Sequence, residues 1–252
     1  MKNRIYLTLL VCMIISCKEK PKDTVNENDV AIEVSDEINT QDNWAELSFD
    51  DWQAFKGGAV PKFWTEDDGV IVFHPPTAEE RKDENGNRQS FNIVTKESFG
   101  SFVLSLEWKI SEAGNSGIMW GVSEDDKYVE PYQTGLEIQV LDNDKHPDGK
   151  NGTSHQAGAL YDLVSPAKDA TKPVGEWNVA VITINHNTNK GSSVLNGIEV
   201  ATFPVGGDEL TALLKGSKFE TWDGFGAFKK GKIALQDHND IVSYRNIKIK
   251  EL

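Results

Sequence analysis

The sequence predicts an all-β domain, an antiparallel sandwich or barrel carrying one short helix. Three observations point there. Short runs rich in Val, Ile, Phe and Trp recur between clusters of Gly, Asn, Asp and Pro, the texture of strands and turns. The clearest runs alternate apolar and polar residues with period two. Only DELTALLKG (208–216) looks helical, for about two turns.

Taken in order, the strand-like runs fall at 70–73, 91–97, 102–110, 116–122, 134–141, 158–163, 177–185, 192–203, 231–237 and 241–250. In FVLSLEWKI, Phe102, Leu104, Leu106, Trp108 and Ile110 share one face. SSVLNGIEVATF places Asn196-Gly197 between two runs, a two-residue hairpin signal. Gly117 and Gly121 inside a strand-like run predict a close backbone approach or a bulge. In TGLEIQVLDNDKH (134–146), Leu136, Ile138 and Val140 alternate with Glu137 and Gln139, and Asp142, Asn143, Asp144 and His146 follow. One domain from about 44 to 252 fits this spacing, with no internal repeat.

The chain ahead of that domain has a different character. Residues 1–17, MKNRIYLTLLVCMIISC, combine the cations Lys2 and Arg4 with an apolar stretch too short to span a bilayer, ending at Cys17. This resembles a bacterial lipoprotein signal, with Cys17 the expected lipidation site and mature N-terminus. Residues 18–43 are polar and charged, and read as a flexible acidic tether. The expected location is the cell envelope, with contact to the membrane through the lipid anchor only. Cys12 lies in the signal and Cys17 would carry lipid, so the domain is expected to fold without a disulfide. A formal charge of −14 argues against a nucleic-acid partner and makes polyanionic substrates less expected, while neutral ligands fit.

The chemistry is not announced by a compact motif. His74, His146, His155, His186 and His238 lack metal-ligand spacing, and the chain has neither a nucleophile elbow nor a phosphate loop. A site must therefore be assembled across strands. Three segments could supply it: the 134–146 strand with Glu137 and Gln139, KIALQDHND (232–240) with Gln236 and His238 on one parity, and HQAGALYDL (155–163) with Tyr161 and Asp162. Glu, His and Tyr suit general acid–base work on a sugar. Each segment reads equally well as the polar face of a half-solvated sheet.

Several motifs in one order resemble the 3-keto-disaccharide hydrolase domain family: IVTKESFG (93–100), GNSGI (114–118), GLEIQVLDN (135–143), GALYDL (158–163), GEWN (175–178) and LQDHND (235–240). The resemblance implies a concanavalin- or laminin-G-like sandwich of jelly-roll type. It also implies action on sugars already oxidised at C3. A C3 ketone acidifies the C2 hydrogen, so a base can remove it, the C1 oxygen can leave by elimination, and water can then add. Carried onto this chain, the polar motif positions are Glu137, Gln139, Asp142, Asn143, Tyr161, Gln236, Asp237 and His238. Glu137 and His238 are taken as the acid–base pair, with Tyr161 and Gln236 holding the oxyanion or the sugar. Gln139, Asp142, Asp237, Trp120 and His155 are expected substrate contacts, with Trp222 a second stacking candidate. A divalent metal ion held by Glu137 and His238 is an alternative source of charge stabilisation. In GIMWGV, Gly121 stands where many members carry an arginine, which predicts a difference in substrate choice. A non-catalytic carbohydrate-binding sandwich and a two-carboxylate glycosidase (Glu137 with Asp142 or Asp237) remain as alternatives.

Overall fold

The computed structural model describes residues 43–252, so Cys17, the signal stretch and the tether to residue 42 lie outside the described residues. Thirteen strands and one helix follow in order. They are β1 (Ala45–Glu46), β2 (Trp52–Ala54), β3 (Trp64–Asp67), β4 (Val70–Phe73), β5 (Ile93–Thr95), β6 (Phe102–Ile110) and β7 (Asn115–Val122). After these come β8 (Leu136–Leu141), β9 (Asn178–Asn185), β10 (Lys190–Leu195), β11 (Ile198–Phe203), α1 (Gly207–Leu214), β12 (Lys232–Leu235) and β13 (Val242–Glu251). One sheet has eight strands, ordered β11-β10-β9-β6-β13-β4-β3 with β1 also on β13; the other has five, ordered β2-β5-β12-β7-β8. Every pairing is antiparallel.

The alternation that predicted strands also builds the core. Phe102, Leu104, Leu106, Trp108 and Ile110 of β6 are buried together with Ile118 and Trp120 of β7, Ile138 and Val140 of β8, and Ile233 and Leu235 of β12. Inward faces of both sheets therefore close one apolar layer, the arrangement of a β-sandwich. The outward face of the five-stranded sheet keeps a small apolar cluster of its own, Val94, Met119, Val122 and Ala234. The rest of that face is free for polar groups.

The hairpin expected at Asn196-Gly197 joins β10 to β11, with φ of 51° and 80° at its two central residues. Positive φ at both positions is what this turn requires, and Asn and Gly meet it at least cost. The 158–163 run is not a strand. Gly158 and Asp162 have φ of 85° and 60°, which breaks the extended path, and Leu160 makes only single bridges to Ile138 and Val164. This loop instead lies along the outer edge of β8: Gln139 N–H donates to Ala159 O (3.1 Å), Gly158 N–H to Gln139 O (2.9 Å) and Tyr161 N–H to Glu137 O (2.9 Å). It thereby satisfies an edge that would otherwise stay open.

Candidate active site

β8 and β12 are not neighbours; β7 runs between them. The site depends on that middle strand. Gly117 of β7 faces Gln139 in register, and a Cβ placed on it would meet Glu137 Oε1 at 1.7 Å. The carboxyl group of Glu137 therefore lies flat across the glycine backbone, toward β12. On the other side of Gly117, Gln236 N–H donates to Gly117 O (3.0 Å). Four positions later, Gly121 has φ of 69° beside the register shift between Lys232 and Ala234. The two glycines thus realise the two expectations separately, a close approach at Gly117 and a bulge at Gly121.

Above this floor lies a cavity of about 400 Å³. Glu137, Gln139, Gln236, Asp237 and His238 line it from the sheet, and Tyr161 from the edge loop. Three further segments complete the wall: Arg81, Arg88 and Asn92; Glu130 and Tyr132; Lys218, Phe219 and Trp222.

The electrostatics divide the pocket into two sides. Burial raises the Glu137 carboxyl to about 8, with Asp148 adding to the rise and Lys218 opposing it. At neutral pH this residue is predominantly a carboxylic acid. His238 moves the other way. His238 keeps an exposed surface, but partial burial of its ring lowers its pKa below the ordinary histidine value, with His146 adding to the effect and Asp240 opposing it. At neutral pH it is a free base. Two titratable groups in one pocket have been pushed apart, and each is uncharged where it stands.

The other predicted residues fall into two groups. Gln236 and Gln139 line the cavity, although Gln139 is 2 % exposed and its Oε1 accepts from Val140 N–H (3.1 Å). Asp237 also lines it, but is committed to structure: its Oδ2 accepts from the Arg81 guanidinium and from Phe91 N–H (2.8 Å), while its own N–H donates to Asn92 Oδ1 (2.9 Å). Tyr161 is half-buried and gives its hydroxyl hydrogen to Asp148 Oδ2 (2.9 Å), so it can donate to an oxyanion only by leaving that partner.

Four of the expected residues lie outside the cavity. Trp120 does not reach the pocket: it shares a strand face with Ile118, is 4 % exposed and stacks on Phe203 at 5.7 Å between ring centroids. Asp142 is a turn residue, accepting from the backbone N–H of Ala113 (2.7 Å), Asp144 (3.1 Å) and Lys145 (3.2 Å). Asn143 lies with it outside the cavity, its Oδ1 accepting from Ala157 N–H (2.8 Å). His155 sits behind Tyr161, with Nδ1 at 2.9 Å from Asp148 Oδ1 and Nε2 at 2.9 Å from Asp162 Oδ1. It braces the group that holds Tyr161, and does not line the cavity itself.

The expected metal pair was Glu137 with His238. Among the described residues, the three that bring possible ligand atoms within 4.8 Å of one another are His146, His238 and Asp240, without Glu137. This group does not fit a divalent ion as it stands. His146 Nδ1 already accepts from Asp148 N–H (3.1 Å), so taking up an ion through that nitrogen would break a contact that holds the loop.

Residues from distant loops escaped the sequence reading. Asn92 Nδ2 donates to Glu130 Oε2 (3.0 Å) and to Ser90 Oγ (2.6 Å), tying two walls together. Burial raises the Glu130 carboxyl, with Ser90 and Asn92 opposing the rise. Lys218 Nζ lies 4.3 Å from the centre of the Tyr161 ring and 3.3 Å from Asp162 Oδ2. It is the cation on the Glu137 side of the pocket.

Comparison with known proteins identifies the family. Residues 42–250 match the 3-keto-alpha-glucoside-1,2-lyase-like domain. The chain belongs to that family. A 3-keto-disaccharide hydrolase of Bacteroides thetaiotaomicron is 35 % identical over 225 residues, covering 81 % of this chain and 76 % of that protein. The crystal structure of a candidate glycosyl hydrolase from Parabacteroides distasonis matches with a TM-score of 0.70 and 31 % identity, over 81 % of this chain and 90 % of that one. A second from the same organism matches with a TM-score of 0.57 and 25 % identity, over 80 % and 99 %. The family's sandwich fold and the fold described above agree.

Proposed function

We propose that this protein cleaves glycosidic bonds in sugars that carry a ketone at C3, by elimination followed by hydration. One observation carries the proposal: Glu137 and His238 line one pocket with opposed pKa shifts, giving a neutral acid and a neutral base at the same pH. His238 takes the C2 hydrogen as a proton, and the electron pair left behind forms the enolate with the C3 oxygen. As the enolate collapses, the C1=C2 bond forms and the C1–O bond breaks. Glu137 gives its proton to the departing oxygen. The return half adds water: its oxygen bonds to C1, Glu137 takes the released proton, and His238 returns a proton to C2. Lys218 supplies positive charge beside the site and Gln236 a polar side chain on the sheet floor.

The name of the Bacteroides relative supports the same substrate class. A two-carboxylate mechanism is less well served. Asp142 is outside the cavity, Asp237 is committed to Arg81, Glu130 is tied to Asn92, and Glu137 is held protonated. Incubating the purified domain with a 3-keto-glucoside and with the unoxidised glucoside tests the proposal. Release of the aglycone from the ketone alone is expected, and cleavage of the plain glucoside instead would refute it.

We also propose that the protein is held in the cell envelope by lipid at Cys17. Labelling of the wild-type chain by a fatty-acid probe, lost in Cys17→Ser, is the expected result; equal labelling of both would contradict it.

A further inference from the structure

The cavity has an aromatic rim that the acid–base chemistry does not use. Tyr132 and Trp222 both line it, and both also line an adjoining depression completed by Lys127, Tyr128, Gln133 and Asp223. The two rings stand 6.0 Å apart at 50°, a ridge between the two hollows. Trp222 is braced from behind by Phe219 (5.2 Å) and Phe225 (6.0 Å), so its ring is positioned before any ligand arrives. Tyr132 is 41 % exposed and Val129, three residues earlier, is 68 % exposed. Large exposed apolar side chains are few among the described residues, and two of them fall on this one loop beside the pocket. Lys127 and Asp223 pair with each other at 2.7 Å across the far hollow, which leaves neither charge seeking a ligand ion. The surface is therefore suited to a neutral ring with an apolar face.

We infer that the Tyr132–Trp222 ridge is the subsite for the leaving group, and that this group is a ring, either a second pyranose or an aromatic aglycone. The inference rests on the proposed 3-keto-glycoside cleavage. Its direction follows from where the acid stands. The oxygen that departs must lie beside Glu137, so whatever hangs from it extends away on the Glu137 side. The loop that brings Lys218 near Glu137 continues directly into Phe219 and Trp222. The oxidised ring thus sits on the sheet floor, and the leaving ring stacks on the ridge and reaches into the far hollow. Such contacts are made to a part of the substrate that does not react, and binding energy there fixes the reacting bond relative to the acid and base.

The test compares three substrates, a 3-keto-disaccharide, a nitrophenyl 3-keto-glucoside and methyl 3-keto-glucoside, on wild type, Tyr132→Ala, Trp222→Ala and Trp222→Phe. Methyl is too small to reach the ridge. Stacking contacts of this kind correspond to about two- to twelvefold in kcat/KM. The expected result is that each alanine variant lowers kcat/KM for a ring-bearing substrate by at least that factor more than for the methyl glycoside, with partial recovery in Trp222→Phe. A larger loss on the disaccharide identifies a pyranose, and a larger loss on the nitrophenyl substrate an aromatic group. Equal losses on all three substrates would overturn the inference while leaving the cleavage proposal standing. If wild type turns over none of them, the cleavage proposal fails, and calorimetry with the unoxidised disaccharide decides the ridge. Binding weakened in Tyr132→Ala supports the subsite, and no binding, or unchanged binding, overturns it.

Discussion

Two glutamates share the same strand parity, one on an interior strand and one on an edge strand, and have opposite fates. Glu107 of β6 and Glu137 of β8 both sit between buried apolar neighbours and point away from the sandwich core. Burial pulls Glu107 upward, but hydrogen bonds from Asn246 (2.7 Å) and Arg245 (2.8 and 2.9 Å) outweigh it and hold the carboxylate below its ordinary range. Among the described residues Glu137 has no comparable donor, and it is raised to about 8. The difference is made by what covers each face. The eight-stranded sheet leaves Glu107 beside Arg245 on the adjoining strand β13, whereas four separated loop segments roof the five-stranded sheet and take water from Glu137. One becomes a structural ion pair, the other a reactive acid. The comparison teaches that strand parity delivers a side chain to a face, and the loops decide what the face does.

The largest expected effect separates the two residues by activity. Glu137→Gln and His238→Ala each lower turnover of a 3-keto-glucoside by about 10²–10⁴-fold, the range for loss of a general acid or base. Glu107→Gln leaves it near wild type. Steady-state kinetics on purified variants check this, and a fall in Glu107→Gln matching that in Glu137→Gln would break the comparison.

Next in size is Gly117→Ala. The new methyl cannot coexist with the present Glu137 rotamer, since its carbon would lie 1.7 Å from Oε1. Displacing the acid by about 1 Å predicts a loss near 100-fold in kcat/KM, with a melting temperature lowered only modestly. Activity within twofold of wild type would show that the carboxyl group does not work from across the glycine.

The pH dependence comes third. Rate requires His238 unprotonated and Glu137 protonated. The profile of kcat/KM is therefore bell-shaped, rising through a His238 value below the ordinary histidine range and falling with an alkaline limb near pH 8. An alkaline limb absent from the wild type would place the acid elsewhere.

The smallest effect is on stability, and its sign differs between the two glutamates. A carboxyl raised by folding contributes stability that is fully present below the unfolded value and is lost as pH climbs toward 8. Glu137→Gln should therefore melt progressively higher than wild type as pH rises from 4.5 to 8. Glu107 has a lowered value, so its stability is present above the unfolded value and is lost as pH falls. Glu107→Gln should melt lower than wild type at pH 7, by at most about 1 kcal/mol for a pair this exposed, with the deficit fading in acid. Thermal scans at pH 4.5, 6 and 8 read both signs.

Much of the fold was legible because its strands announce themselves by parity. Phe102 to Ile110 could face a core in only one way, and Asn196-Gly197 could hardly be anything but a tight turn. Within the site, Glu137, Gln236 and His238 were legible for the same reason, with the motif order raising them above other polar faces. Trp120 differs: parity puts it with Ile118 on the buried face, where its ring packs against Phe203 in the core and is out of reach of a sugar. The 158–163 run looked like a strand because Ala159, Leu160 and Leu163 are apolar, yet they pack a loop onto an edge. The relation of β8 to β12 was not legible: strand parity does not say which strands adjoin, and only the sheet order puts Gly117 between them. Arg81, Asn92, Glu130 and Lys218 come from loops far apart in sequence, where no periodicity operates and folding alone brings them together.

The most direct test of the central claim follows the C2 hydrogen. A 3-keto-glucoside is cleaved by the enzyme in D2O, and the 3-keto sugar released is compared by NMR with an enzyme-free control. The His238 ring keeps an exposed surface and trades the abstracted hydrogen for solvent deuterium before returning it, so elimination and hydration through Glu137 and His238 predict one deuterium at C2 of the product, with cleavage and label falling together in His238→Ala. Cleavage with the original hydrogen retained at C2 would contradict the account.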